Sequence, residues 1–224
     1  MTALIVIPTE LEHRTLMTCA PSLVGCAEAR FELCGFGPIA AAARSVQLIE
    51  QHRPERVCLL GIAGAYKDRV PVGEAIRATA VGSYGIGAGT GNDFISAGQM
   101  GWDQLPAKTG NEQSSAVRDL IELGSAEALD DCRDLPVGLL ITACAASAHE
   151  RDVEHRLQSF PSAIAEDMEG FGVALACRLC GIELSIVRGI SNRAGDRDTT
   201  NWKIREALQS AARELQRWLD EVIS

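Results

Sequence analysis

The 224-residue chain lacks most of what would place it on nucleic acid or in a membrane. Aromatic residues make up only 4% of it, and 30 Asp and Glu outnumber 21 Lys and Arg, leaving a net charge of −9. No basic stripe with interleaved aromatics occurs, and a surface of that sign repels a phosphate backbone, so no nucleic-acid partner is expected. No apolar run approaches the about 20 residues that cross a bilayer. The opening "MTALIVIPTELEHR" carries neither a basic leader nor a small-residue cleavage site, so a soluble, cytoplasmic protein with no membrane partner is expected. Pro-rich and Ser-rich linkers are missing too, and with 46% hydrophobic residues the whole chain, 1–224, is expected to form one domain with a sizeable core.

Cysteine is not scarce, but its eight copies scatter through apolar segments (Cys34, Cys58, Cys144, Cys177), where a free thiol behaves as a small buried hydrophobe. A disulfide framework is not expected. The single CxxC, Cys177 and Cys180 in "ALACRLCG", falls on an expected helix, and none of the four histidines stands at zinc-like spacing to it. Core packing is the expected role, with no metal site.

What the chain does have is alternation. Short apolar or β-branched runs recur at 4–8, 31–35, 57–61, 75–82, 137–142, 163–168 and 182–190, with helical patterns between several of them. The clearest helix is the last, where Ile204, Leu208, Ala211, Leu215, Trp218 and Val222 recur at steps of four and three, forming one apolar face. Such alternation predicts an α/β fold with a largely parallel or mixed central sheet. Residues 83–113 break the rhythm with closely spaced glycines and isolated aromatics (Phe94, Met100, Trp102), as a lid or a subunit contact would.

Four strand-end motifs carry candidate chemistry. "GFGPIA", Gly35 to Ala40, matches GxGxxA, but it follows the second strand instead of the first. The acid Glu55 precedes the next strand instead of ending it, so a tight turn approaching some ligand fits better than a dinucleotide site. "PTELE" sets Thr9 and Glu12 at capping-box spacing, so Glu12 is either a cap or, at a strand end facing the crevice, a general base. "EDMEGFG" places Asp167, Met168 and Glu169 at a strand-to-helix junction, where acids either complement the helix dipole or accept paired sugar hydroxyls beside an apolar surface. "RGISNRAGDRD" groups five charged side chains around one neutral amide, Asn192, which is either a turn residue or a discriminator of polar ligands.

Taken in order, "VIPTELE", "GFGPIAAA", "GIAGAY", "FPSAIAEDMEGFGVALAC" and "VRGISN" resemble the nucleoside phosphorylase and nucleosidase superfamily, over about residues 3–82 and 136–222. Within it the chain is similar to the methylthioadenosine nucleosidase and futalosine hydrolase branch, and "SNRAGDRDTTNWKIREAL" looks particularly like futalosine hydrolases. The resemblance implies a single-domain nucleoside phosphorylase-like fold, no cofactor, a small-molecule nucleoside substrate and a homo-oligomer, a dimer or larger. It implies Glu12 as the base that activates water, Glu169 as the ribose acceptor, Met168 against the sugar, Ser191 and Asn192 at the base, and Gly64 and Phe94 as further substrate contacts. Methylthioadenosine members carry Asp where this chain has Asn192; an amide cannot act as an acid, but it can accept from a protonated nitrogen 7 while donating to an oxygen on carbon 6. Futalosine with hypoxanthine as the leaving base is the substrate so implied. A partner for its benzoate is sought among Arg193, Arg197, Lys108 and His149. The Gly35–Ala40 turn has no Arg before Arg44, and Ile62 stands where a phosphate site needs a hydroxyl, so hydrolysis is expected over phosphorolysis. The rival readings are a methylthioadenosine or S-adenosylhomocysteine nucleosidase, a purine nucleoside phosphorylase and, in another class, a non-catalytic nucleoside sensor.

Overall fold

The computed structural model describes residues 2–21, 23, 26–107, 116–124 and 135–223. In chain order these form β1 (Ala3–Ile7), α1 (Glu10–Cys19), β2 (Ala29–Leu33), α2 (Pro38–His52), β3 (Arg56–Ala65), β4 (Ala75–Tyr84), β5 (Gly87–Ala88), β6 (Ile95–Ser96), β7 (Leu120–Glu122), β8 (Val137–Ala143), α3 (Glu150–Ser159), β9 (Ala163–Asp167), α4 (Gly170–Cys180), β10 (Glu183–Arg193) and α5 (Ile204–Ile223). Each of the seven expected apolar runs is a strand. β5 and β6 arise within residues 83–113, the segment that breaks the rhythm, and β7 lies beyond it.

The strands at the centre are apolar on both faces because helices cover both. In β1, Leu4 and Val6 join a core with Leu48 and Ile49 of α2 and Val173 and Cys177 of α4. The alternate residues Ala3, Ile5 and Ile7 join the opposite core with Leu16 of α1 and Leu215 and Trp218 of α5. β3 repeats the division, with Val57 and Leu59 on one side and Cys58 and Leu60 on the other. A period of two thus feeds two layers, and each buried Leu or Ile contributes about 1.5–3 kcal/mol. The expected face of α5 is the buried one, completed by Ala207, Ala212 and Leu219. Cys34, Cys58 and Cys177 are buried free thiols that burial pushes up to about 12, whereas Cys144, expected inside, is exposed because β8 ends one residue earlier.

The mixed sheet runs β10-β4-β8-β9-β3-β1-β2, with β7 on β4. β10 also pairs with β3, in parallel from Glu183 opposite Arg56 to Arg193 opposite Ala65. The five strands β3, β10, β4, β8 and β9 therefore pair in a closed circuit, and β1 and β2 extend from it. Only two antiparallel pairs, Gly64 with Glu166 and Ala65 with Ala165, join β3 to β9, so their C-terminal tips meet. A register shift between Ile190 and Asn192 marks a bulge in β10, a device that re-aims side chains. Residues 85–107 are tied to the sheet through Asp119, which accepts from Ser96 Oγ at 2.6 Å and from the Gly98 amide at 3.0 Å.

A buried ion pair lies under α5. Arg77 of β4 donates from Nη2 to Glu214 Oε1 at 2.5 Å, with side chains 8% and 2% exposed. Glu221 Oε2, 45% exposed, stands 3.5 Å from Nη1, so removing Glu214 leaves the buried guanidinium only partly compensated. Glu214→Ala is expected to lower the unfolding free energy by up to about 3 kcal/mol, whereas Arg77→Met with Glu214→Leu is expected to recover most of that loss in urea denaturation.

Candidate active site

The C-terminal ends of β1, β3, β9 and β10 converge on a cavity of about 280 Å³. Strand ends of open α/β sheets are where such crevices form. Glu12, Gly64, Met168, Glu169, Ser191 and Asn192, all named from the sequence, line it together.

Glu12 divides its two roles between backbone and side chain. Thr9 caps α1 by accepting from the Glu12 amide at 3.2 Å. The Glu12 carboxylate does not complete a capping box: it accepts from the Thr9 hydroxyl and, at 2.9 Å, from the Ile62 amide of β3. It is held by two donors and is 4% exposed.

The group that organises the acids is Arg188, fully buried in β10 and not singled out from the sequence. It donates to Asp167 Oδ2 from Nε at 3.0 Å and from Nη2 at 2.6 Å, and Nη2 also reaches Glu169 Oε2 at 3.2 Å. Its Nη1 has no hydrogen-bond partner among the described residues. A Cβ on Gly61 would lie 2.2 Å from that Nη1 and 2.6 Å from Glu12 Oε1, so both groups crowd the space that glycine leaves open. Burial opposes the Arg188 charge, but Asp167, Glu169 and Glu12 outweigh it and push its pKa up. Asp167, read from the sequence as a dipole partner or a sugar acceptor, is saturated by Arg188, the Thr142 hydroxyl at 2.6 Å and the Gly170 amide at 2.9 Å.

Glu169 accepts from the Gly37 amide at 3.0 Å. Gly35 and Gly37 have φ of +90° and +85°, so the "GFGPIA" turn exists to bring that amide to an acid at the cavity, not to cradle a dinucleotide. Burial pushes the Glu169 carboxyl up to about 7, with Asp167 and Glu12 adding to the rise and Arg188 and the Gly37 N–H opposing it.

At the other end of the cavity, Asn192 Oδ1 accepts from the Ser191 hydroxyl at 2.8 Å. Its amino group donates to the Arg193 carbonyl at 2.8 Å and, at 3.4 Å, to that of Asp196. The oxygen keeps a free lone pair, while the amino group reaches a ligand only by giving up the longer bond. Glu166, unremarked in the sequence, also lines this end. Phe94 does not line the cavity: its ring stands 4.9 Å from that of Tyr84, which holds it one layer out. Of the cations considered for a carboxylate, Arg197 lines the cavity with its guanidinium 5.0 Å over the Trp202 ring. Arg193 pairs with Asp68 at the surface, His149 caps α3, and Lys108 lies outside the described residues. Among the described residues no helix is long and apolar enough to cross a membrane, and no cluster of His, Cys, Asp and Glu could hold a metal ion.

The profile of the Phosphorylase superfamily matches residues 26–224. The chain belongs to that superfamily. A futalosine hydrolase from Streptomyces coelicolor is 32% identical over 78% of this chain and 71% of its own length. A 5'-methylthioadenosine/S-adenosylhomocysteine nucleosidase from Chromohalobacter salexigens is 28% identical over 72% of this chain and 65% of its own. In fold, the chain is similar to the nucleosidase of Colwellia psychrerythraea in complex with adenine (TM-score 0.77, 20% identity, 99% of this chain and 95% of that one). It is likewise similar to that of Helicobacter pylori with a butyl-thio-DADMe-Immucillin-A ligand (TM-score 0.74, 16% identity, 99% of both). The chain is thus an enzyme of the nucleosidase class, with a nucleoside phosphorylase-like α/β fold.

The Glu169 carboxyl holds its proton more tightly in the folded chain, up to about 7, than at its ordinary value of 4.5. Protonation therefore favours folding, a contribution fully present below about 4.5 and lost as pH rises through about 7. Glu169→Gln, which imitates the protonated acid, is expected to match the parent in Tm near pH 4.5 and to exceed it near pH 8. A Tm difference that does not change with pH would place the Glu169 titration elsewhere.

Proposed function

We propose that the protein hydrolyses the N-glycosidic bond of futalosine, releasing hypoxanthine and dehypoxanthine futalosine on a cytoplasmic route to menaquinone, without a cofactor. The observation that carries hydrolysis is the pairing of Glu12 with the unpartnered Arg188 Nη1 above Gly61. An acceptor and a donor facing the same small space suit one water molecule, with Glu12 taking its proton and Arg188 orienting its oxygen. Phosphate would meet the anionic Glu12 and the apolar Ile62 there, and Arg44, the first cation after the glycine turn, bonds Gln47 instead of lining the cavity.

In the proposed mechanism the C1'–N9 bond breaks first, its electrons leaving with the purine, and the sugar becomes oxocarbenium-like. Glu169 in its ionised form accepts from the ribose hydroxyls, and Met168 packs against the ring. Water then bonds to C1' as Glu12 removes its proton. Ser191 orients the Asn192 oxygen, whose free lone pair accepts from nitrogen 7 of the departing base after that nitrogen has taken a proton from solvent. The two acids are fixed before the substrate arrives, so little reorganisation accompanies the charge that develops on the sugar. The exposed apolar lip of Phe36 and Ile39, 64% and 82% exposed, beside the cavity suits cover by a second copy of the chain in a homo-oligomer.

A substrate panel tests this reading. Futalosine, its 6-amino counterpart, methylthioadenosine and inosine are offered with and without millimolar phosphate. Hypoxanthine release from futalosine is expected to dominate, unaccelerated by phosphate and without a sugar 1-phosphate, and Glu12→Gln is expected to lower kcat by about 100-fold or more. A sugar 1-phosphate product would make the protein a phosphorylase, preferred cleavage of methylthioadenosine would assign it to that branch, and no turnover at all would leave a sensor.

The benzoate is assigned to Arg197, an exposed residue whose stacking on Trp202 holds a planar cation at the rim of the cavity. A lost charge-assisted bond costs about 1.5–3 kcal/mol. Arg197→Ala is accordingly expected to raise KM for futalosine about 10- to 100-fold while changing kcat/KM for inosine, which has no carboxylate, less than about threefold. Equal losses on both substrates would remove Arg197 from that role.

A further inference from the structure

The candidate base has two carboxylate oxygens, and their surroundings differ. Glu12 Oε1 accepts from the Ile62 amide at 2.9 Å and faces the space over Gly61, where a Cβ would lie 2.6 Å from it and 2.2 Å from Arg188 Nη1. Oε2 accepts from the Thr9 hydroxyl. Glu12 is buried, whereas Thr9 is half-buried and lines the cavity beside it.

The way Thr9 begins α1 determines what its hydroxyl can do. As N-cap, with extended backbone at φ −128° and ψ 153°, it turns Oγ1 over the first turn and accepts from the Glu12 amide at 3.2 Å. A hydroxyl has a single hydrogen to give. With Oγ1 committed as acceptor to the N–H of Glu12, that hydrogen goes to the carboxylate of the same residue. In a capping box the acid at this spacing would return to the backbone N–H of the cap. Here it is instead suspended between the hydroxyl of Thr9 and the amide of Ile62, one donor on each oxygen, so the plane of the carboxylate is fixed.

We propose that Thr9 is a positioning residue for hydrolysis: its hydroxyl occupies Glu12 Oε2 and leaves Oε1, over Gly61, as the oxygen that takes the proton of the attacking water. The inference rests on reading Glu12 as the base. In the step so directed, a water lone pair bonds to C1' of the oxocarbenium-like sugar, the water O–H bond breaks, and its proton passes to Oε1. The carboxylate is neutralised as the sugar loses its positive charge. Oε1 has two acceptor sites, one filled by the Ile62 N–H and the other open to the water. A proton placed on Oε2 would face the hydrogen of Thr9 and break that bond. The N-cap of α1 thus chooses the working oxygen, and it holds that oxygen on the side where Arg188 Nη1 waits.

Purine release from futalosine, or from methylthioadenosine if the parent protein prefers it, tests this in Thr9 variants made with and without Glu12→Gln. Thr9→Val keeps the shape and removes the hydroxyl; it is expected to lower kcat about 10- to 100-fold and to change KM less than about threefold. Thr9→Ser, which restores the hydroxyl, is expected to stay within about threefold of the parent in kcat. In the Glu12→Gln background Thr9→Val is expected to change kcat less than about twofold, because the group that Thr9 positions is already gone. Should Thr9→Val not fold, Thr9→Gly takes its place, since glycine serves as an N-cap without a hydroxyl. Equal fold-losses in both backgrounds would reduce Thr9 to a helix cap, and a raised KM at unchanged kcat would make it a substrate contact; either result overturns the proposal. Near-normal turnover in Glu12→Gln, or no hydrolysis of any nucleoside by the parent, would end the reading of Glu12 as the base and this proposal with it. A large loss in Glu12→Gln beside a kcat insensitive to Thr9→Val sinks the proposal alone.

Discussion

The site is built around one buried guanidinium. A charge as deeply placed as Arg188 costs several kcal/mol to desolvate, and it persists only where carboxylates surround it with good geometry. Asp167 meets it with two bonds and Glu169 with a third, while Glu12 stands across Gly61. The dependence runs both ways. Without Arg188 the acids would face one another in a confined space and take up protons; without the acids its charge would have no place in the core. One interaction thus ties the end of β9, the middle of β10 and the first turn of α1 into a single electrostatic unit. The closed circuit of strands is what allows it, because the short antiparallel seam between β3 and β9 turns all these ends toward one cavity.

The unit is not tuned for stability. Glu169 retains enough desolvation cost, despite Arg188 and the Gly37 amide, to sit about where a proton is half lost at neutral pH. Surface acids titrate well below this. A carboxylate kept short of full compensation is a stronger acceptor for a ligand hydroxyl than one saturated by protein donors. Asp167, with Arg188, Thr142 and Gly170 all donating to it, shows the saturated alternative two residues away. Of the three acids of "EDMEG", Asp167 spends its acceptor sites on protein donors, whereas Glu169, with one bond from Gly37 and one from Arg188, keeps acceptor capacity at the cavity.

The fold was legible because its strands are apolar on both faces and its last helix on one, patterns that depend only on near neighbours in the chain. Glu12, Glu169, Ser191 and Asn192 were legible as polar residues at strand ends, where a crevice forms whatever the details of the sheet. Arg188 was not. In the sequence it is one charge near the end of the expected strand 182–190 and the first of five in "RGISNRAGDRD", with nothing local to mark it as buried. In the structure β10 runs on three residues past that expectation to Arg193, and the partners of Arg188 arrive from β9 and the start of α4. Phe94 and β7 were obscured for the same reason: their places depend on β4 and on Asp119, contacts across a segment with no local period.

Glu166 and Asp167 carry this furthest. As neighbours in sequence they look like one acidic patch before a helix, and composition offers no ground for separating them. Strand geometry separates them, since successive side chains project to opposite sides, and each finds its own arginine: Asp167 takes Arg188 and Glu166 takes Arg156. Asp167 has its acceptor sites filled by Arg188, Thr142 and Gly170, while Glu166 is held by Arg156 and by the amide and hydroxyl of Ser147. Both acids line the cavity, and Gly64, opposite Glu166, withholds a side chain from the wall beside them. The same two-residue alternation that divides the hydrophobic core between two helical layers therefore also divides the polar work of the cavity.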